Sequence, residues 1–257
     1  MKTVLITGAA KNLGFAIARR YAKAGYAVAL TSRSADSAAE AAERISKEFG
    51  VPAKGYAMEL RSPESIAAAF SAAERELGAL DVFIANAAEL GMNNTVASAT
   101  EADYSRIIDT NVKGTFFCCR EAALCMKKHG GGSIVTIGSV QGEGAVLGRA
   151  LYSMSKAAIV SLAKTLAYEF GEYGVRANNL SVGAVHTVRW DALSEEALAA
   201  WRSRYPAGRE STEEEVAEAA FFLGDTSSPT LTGTSMTIDS GISACMVPYK
   251  KTGGNEV

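Results

Sequence analysis

Lys2-Thr3-Val4-Leu5-Ile6-Thr7-Gly8-Ala9-Ala10-Lys11-Asn12-Leu13-Gly14-Phe15-Ala16-Ile17 is the stretch whose reading decides the fold. A β-branched run, TVLIT, enters a turn bounded by Gly8 and Gly14. Apolar residues then recur at helical spacing through LGFAIARRYAKAG. Strand, glycine turn and helix in that order present backbone N–H groups and a helix N-terminus to a phosphate. Gly8 opens the turn, and Gly14 falls in the first helical turn, where a missing side chain permits close approach. Asn12 stands where a middle glycine is expected. Asparagine is among the few other residues that tolerate left-handed backbone, so the turn survives the replacement. Taken alone, the motif suits a dinucleotide site and a plain strand–helix turn equally.

The same alternation continues outward. Strand candidates are TVLIT, YAVALT, AKGYAM, LDVFIA, GSIVTIG, VRANNLSV and SMTID. Amphipathic helix candidates lie between them: LGFAIARRYAKAG, ADSAAEAAERISKEFG, PESIAAAFSAAERELG, two stretches from Glu101 to Lys128, YSMSKAAIVSLAKTLAYEFGEYG and TEEEVAEAAFFLG. Gly25, Gly50, Gly78 and Gly224 read as left-handed helix caps. Strands alternating with helices imply right-handed crossovers and a parallel sheet covered on both faces. The fold class is therefore α/β, a Rossmann-like doubly wound parallel sheet of about seven strands. No linker divides the chain, so residues 1–248 read as one dinucleotide-binding and catalytic domain, followed by a polar tail over 249–257.

Formal net charge is −2, from 26 basic and 28 acidic residues. That balance gives no electrostatic reason to expect nucleic acid or an anionic membrane as partner. No segment is apolar enough to span a bilayer, and the amino-terminal apolar run is too short for a signal peptide. A cytoplasmic protein with a small-molecule substrate is expected. Cys118, Cys119, Cys125 and Cys245 show no metal-ligand spacing and read as buried thiols. With only His129 and His186 beside them, no metal site is expected.

Cofactor choice turns on the end of the second strand, Leu30-Thr31-Ser32-Arg33. Sites that prefer NAD place a carboxylate there for the ribose hydroxyls, and none is present. Arg33 and Lys11 suit a 2′-phosphate instead, although both types are common as solvated surface cations. NADP(H) is favoured, with NAD(H) possible.

The second signal is Tyr152-Ser153-Met154-Ser155-Lys156. Tyrosine and lysine four residues apart share a helix face. Free tyrosine titrates at about pH 10, and a nearby ammonium is expected to lower that value toward the operating range. Ser139 follows the strand GSIVTIG, at the carboxyl edge where open α/β sheets bind ligands.

Together these landmarks resemble the short-chain dehydrogenase/reductase family. Asn86-Ala87-Ala88 after the fourth strand, Asn111 in TNVKG, and Gly183-Ala184-Val185-His186-Thr187 after the sixth extend the likeness over nearly the whole chain. The resemblance implies a nicotinamide-dependent enzyme interconverting a carbonyl and a secondary alcohol. Tyr152 would be its general acid or base, Ser139 would orient the substrate oxygen, and Lys156 would bind the nicotinamide ribose and tune Tyr152. Asn111 would hold a water in a proton relay, while Val185 and Thr187 would contact the carboxamide. Gly8, Lys11, Asn12, Leu13, Gly14, Ser32, Arg33, Glu59, Leu60, Asn86, Ala87, Ala88 and Gly183 would hold the rest of the cofactor. A homotetramer or homodimer paired through long helices is implied as well.

Asn12, Ala85, Ala88, Glu59 and Val182 depart from the family pattern and bear on cofactor geometry rather than reaction class. Substrate choice falls to Glu89–Ala99, Gln141–Ala150 and Val188–Gly208. The last carries Arg189, Trp190, Trp201, Arg202, Arg204 and Tyr205. It reads as a lid, or as an amphipathic surface helix with Trp201 packed down. Arg189 or His186 is a candidate for binding a polar substrate group. Steroid, sugar or polyol, ketoacyl thioester and small aromatic ketone all remain open as substrates. A catalytically idle nucleotide sensor on the same fold is the alternative, and the intact Asn111, Ser139, Tyr152 and Lys156 speak against it.

Overall fold

The computed structural model describes residues 1–92, 94–187 and 190–245. Seven strands form one sheet: β1 (Thr3–Ile6), β2 (Ala27–Ser32), β3 (Ala53–Ala57), β4 (Val82–Ala85), β5 (Gly132–Ile137), β6 (Val175–Val182) and β7 (Ser235–Ile238). Their order is β3-β2-β1-β4-β5-β6-β7, and every pair is parallel. The helices are α1 (Asn12–Lys23), α2 (Ala35–Phe49), α3 (Pro63–Leu77), α4 (Glu101–Ile108), α5 (Thr115–His129), α6 (Ala150–Phe170), α7 (Glu195–Arg202) and α8 (Glu213–Asp225).

Side chains of a strand point alternately to opposite faces, and the cores follow that period. Val4, Ile6, Val28, Leu30, Val82 and Ile84 pack with α1, α2 and α8. Leu5, Ala29, Phe83 and Ile134 pack with α3, α5 and Leu166 of α6 on the other side. With both faces covered, the central strands read as unbroken apolar runs. The chain winds outward from β1 through β2 to β3, then returns to start β4 on the other side of β1. This switch leaves a crevice at the carboxyl ends of β1 and β4.

Most helices are closed by their own sequence. Ser34, Ser62, Thr100, Ser194 and Thr212 each accept a hydrogen bond from a first-turn amide of α2, α3, α4, α7 and α8. Helix α1 has no such cap. Its first turn opens instead on the crevice.

Gly25 and Gly50 have the expected left-handed φ, whereas Gly78 pairs a φ of 92° with an extended ψ. The reading of Gly224 as a cap is corrected: it lies inside α8, where a Cβ would sit 1.9 Å from Tyr21 Oη. Its glycine permits close contact between α8 and α1. Between α4 and α5 the chain forms a π-helical segment, Asp109–Gly114, a widening often found at functional sites. No described helix is long and apolar enough to cross a membrane. Cys118 and Cys119 are free and buried, and burial pushes the Cys119 thiol up to about 12. The tail over 249–257, Asn93, Val188 and Arg189 lie outside the described residues.

Candidate active site

A cleft of about 840 Å³ runs along the carboxyl ends of the central strands. Of the residues singled out from sequence for catalysis or cofactor binding, all but Asn111 line it. At one end lies the glycine turn. Gly8 has φ 63° and Asn12 φ 51°, so asparagine takes the left-handed position expected of it. A Cβ on Gly14 would stand 2.5 Å from the Gly8 carbonyl oxygen and 2.6 Å from Asn86 Nδ2. Asn86 Nδ2 donates to the carbonyls of Thr7 (2.9 Å) and Gly8 (3.3 Å). Thr7 Oγ1 in turn accepts from the N–H groups of Asn86 and Ala87, both at 2.9 Å. Sequence reasoning passed over Thr7 as a brace, although its place just before Gly8 was the available signal.

The uncapped first turn of α1, with this close approach behind it, fits the pyrophosphate of a dinucleotide. Beyond it, Lys11 and Arg33 are exposed on the rim. Neither has a carboxylate within ion-pair distance among the described residues. The nearby Glu59 is bonded to Arg61, at 3.2 Å through the guanidinium and 3.0 Å through the N–H. Arg61, and to a lesser degree the charge of Arg33, holds the Glu59 carboxyl below its ordinary range.

At the other end, Ser139 leaves β5 buried, its Oγ accepting from the Gln141 N–H at 3.2 Å. Tyr152 and Lys156 face it from α6, with Lys156 Nζ 5.5 Å from the Tyr152 ring centroid. Lys156 is 4% exposed, and burial lowers its pKa to about 8. The expected lowering of the tyrosine is corrected here. Tyr152 is pushed above its ordinary value by burial, against the opposing effects of the Ser139 hydroxyl and the Arg149 guanidinium. The physical reason is the burial of the phenol, which Lys156 does not offset: its Nζ donates to the Ile137 carbonyl at 2.7 Å.

Asn111 sits behind the cleft on the π-helical segment. Its Oδ1 accepts from the Glu89 N–H (2.7 Å), and its Nδ2 donates to the Glu89 carbonyl (2.9 Å) and Ser155 Oγ (3.0 Å). Ser155 Oγ donates onward to the Tyr152 carbonyl at 2.7 Å. The amide thus ties the loop after β4 to the first turns of α6. Ser155 was missed from sequence, although it lies on the helix face of Tyr152.

The segment before α8 differs from its reading. Helix α7 buries no residue, and Trp201, 44% exposed, meets Trp190 edge-on at 6.0 Å. It is therefore not packed down, but set edge-on against a residue that lines the cleft. His186 is bonded to Glu210 (2.7 Å) and Asp191 (2.8 Å), so it braces this segment rather than waiting for a ligand. Away from the cleft, Glu74, Cys125 and His129 bring ligand atoms within 4.8 Å of one another. Cys125 and His129 stand one helical turn apart, a spacing the sequence reading overlooked. The Glu74 carboxylate there already accepts from Lys128 at 2.8 Å and contacts His129 at 2.7 Å.

A family model described as enoyl-(acyl carrier protein) reductase matches residues 8–243. The chain is 32% identical to the 3-oxoacyl-(acyl-carrier-protein) reductase of Aquifex aeolicus, over 94% of this chain and 97% of that protein. Among solved structures, a short-chain type dehydrogenase/reductase from Mycobacterium marinum superposes with a TM-score of 0.85 at 30% identity. That match covers 95% of this chain and 96% of the other. A gluconate 5-dehydrogenase from Burkholderia cenocepacia J2315, solved in complex with NADP and tartrate, superposes with a TM-score of 0.88 at 30% identity, with the same coverage.

Proposed function

The chain belongs to the short-chain dehydrogenase/reductase family, and from that premise we propose that it interconverts a carbonyl and a secondary alcohol with NADP(H), Tyr152 moving the proton. Membership makes it an NAD(P)-dependent oxidoreductase acting on CH–OH or C=O groups. The choice of NADP(H), the residue roles and the substrate belong to the proposal. Bound cofactor supplies the hydride, and the protein supplies position and a proton.

One observation carries the reading: Ser139, Tyr152 and Lys156 converge at the end of β5, in the same cleft as the uncapped start of α1. A tyrosine raised by burial stays protonated, the form needed to donate to a carbonyl oxygen as that oxygen gains charge. Ser139 offers a second hydroxyl to the same oxygen and orients it. Lys156, with a pKa of about 8, is mostly an ammonium at neutrality and faces the ribose end of the site. Asn111 and Ser155 hold the start of α6 so that the phenol keeps its aim. Lys11 and Arg33 receive the 2′-phosphate, a role supported by the NADP complex of the B. cenocepacia relative. Val185 and Thr187 flank the carboxamide from the β6 side. The apolar side chains of Phe116 and Leu124 stand exposed on α5, and they support pairing with a second copy of the chain.

The test is loss of reduced-nicotinamide absorbance with NADPH and a panel of sugar, acid, thioester, steroid and aromatic ketones. Tyr152→Phe is expected to cut turnover by about a hundredfold to ten-thousandfold. Turnover untouched by that substitution removes Tyr152 from the chemistry.

A further inference from the structure

We propose that the substrate carries a carboxylate, and that Arg149 receives it. The inference rests on the oxidoreductase reading above and narrows its substrate class.

The argument begins with the cations of the cleft. Arg61 is paired with Glu59 at 3.2 Å, and Arg106 with Glu89 at 2.8 Å and Asp103 at 3.0 Å. Lys156 donates to the Ile137 carbonyl. Lys11 and Arg33 stand together at the glycine-turn end. That leaves Arg149, which has no carboxylate within ion-pair distance among the described residues. It lies at the chemical end of the cleft, its guanidinium carbon 5.8 Å from the Tyr152 ring centroid.

The guanidinium is held but not saturated. Nη1 donates to the Leu90 carbonyl at 2.7 Å, which fixes the side chain against the loop after β4. Nε and Nη2 have no acceptor among the described residues. A guanidinium so placed presents two parallel donors, a geometry matched by a carboxylate. In a partly desolvated cleft such a pair is stronger than in water. The charge also reaches the reacting hydroxyl, since Arg149 opposes the upward shift of Tyr152. A neutral ketone offers this cation ordinary hydrogen-bond acceptors but no counter-charge. For a keto or hydroxy acid Arg149 supplies a counter-charge at one end, while Leu90 and Trp190 line the path of the carbon chain.

The experiment compares substrates that differ only in this charge. Acetoacetate and levulinate are each assayed with NADPH against their methyl esters, and an aldonate against its alditol with NADP. Wild type, Arg149→Gln and Arg149→Lys are run in parallel. Wild type is expected to prefer the acid of at least one pair by about tenfold to a hundredfold in kcat/KM. Arg149→Gln is expected to abolish that preference by lowering kcat/KM for the acid about tenfold or more beyond any change for its ester or alditol, while Arg149→Lys retains part of it. Equal losses for acid and neutral partner would reduce Arg149 to a brace for Leu90 and overturn the proposal. So would a wild type indifferent to the charge, or one that turns over only ketones lacking an acid. No turnover of any ketone in the wider panel would instead strike at the oxidoreductase reading beneath it.

Discussion

Replacing Arg33 with alanine isolates the cofactor reading from the stability of the fold. The side chain is exposed just past β2 and makes no hydrogen bond or ion pair among the described residues, so its removal breaks none of these. Stability should move by no more than about 0.5 kcal/mol, as for other surface substitutions. A hydrogen bond from a charged group to a 2′-phosphate contributes about 1.5–3 kcal/mol. An exposed rim places Arg33 at the lower figure, which is about tenfold in Kd. NAD(H) lacks that phosphate, so the NADP-to-NAD affinity ratio should shift by the same tenfold. Lys11 supplies a second charge on the same rim, and the double replacement should bring the shift to about a hundredfold if the two act independently. Glu59 offers an internal control. Its carboxylate is bonded to Arg61, and Arg61→Ala frees it to pair with Arg33. That variant should weaken NADP(H) binding with Arg33 still in place. Calorimetric titration of both cofactors at low and high salt reads all of this. An equal loss for NADP(H) and NAD(H) in Arg33→Ala would refute the 2′-phosphate contact.

Two further outcomes concern the framework around the site. In Gly224→Ala the new methyl falls 1.9 Å from Tyr21 Oη and 3.1 Å from Val82 Cγ1. Tyr21 is fully buried and its hydroxyl nearly coincides with the new methyl, so an overpacking cost of about 2–3 kcal/mol should outweigh the helix gain of about 1 kcal/mol. Calorimetry should show a Tm lower by about 2–8 °C, mostly restored in Tyr21→Phe, where the nearest ring atom stands 3.2 Å away. An unchanged Tm in the single variant would mean that the contact yields freely. His186 is raised above its ordinary value by Glu210 first and Asp191 second. Being raised, its contribution is complete below the unfolded pKa of about 6.5 and is lost as pH climbs through the higher folded value. Trp190, 6.3 Å away, should report this as a fluorescence rise with a midpoint above about 6.5. The rise should be absent in His186→Asn, and a midpoint at or below that pH would contradict the ion cluster.

The strands were legible because a sheet buried on both faces demands β-branched and apolar runs, and VRANNLSV matches β6 residue for residue. The turn was legible down to the left-handed Asn12, since so few residues tolerate that backbone. What escaped depended on partners that leave no local trace. Gly224 looked like a cap because its neighbour, Tyr21, lies on a helix far upstream. The Tyr152–Lys156 spacing placed two groups on one face but could not show that the ammonium binds a backbone carbonyl of β5. Asn111 was recognisable as a residue. Its amide contacts depend on the Glu89 backbone and on a π-helical register invisible in TNVKG. Arg149 lay within a stretch read as variable, and its proposed role emerges only once Arg61, Arg106 and Lys156 are matched to partners in the protein and Lys11 and Arg33 are assigned to the far end of the cleft.

The charges around Tyr152 are coupled on the proposed scheme. Burial keeps the phenol protonated, while Arg149 pulls its pKa the other way. A substrate carboxylate seated on Arg149 would cancel that pull, because a paired guanidinium projects little field. The phenol would then be a firmer proton store with a keto acid present than without one, and it would release its proton only as the carbonyl oxygen gains charge. A higher pKa also makes the phenol a weaker acid, so the pairing that binds the keto acid costs part of its drive for proton transfer. A neutral ketone would leave Arg149 unpaired and the phenol more readily ionised. Under this scheme, therefore, one guanidinium acts on substrate choice twice and with opposite signs, favouring the acid in binding and the neutral ketone in the acidity of the phenol.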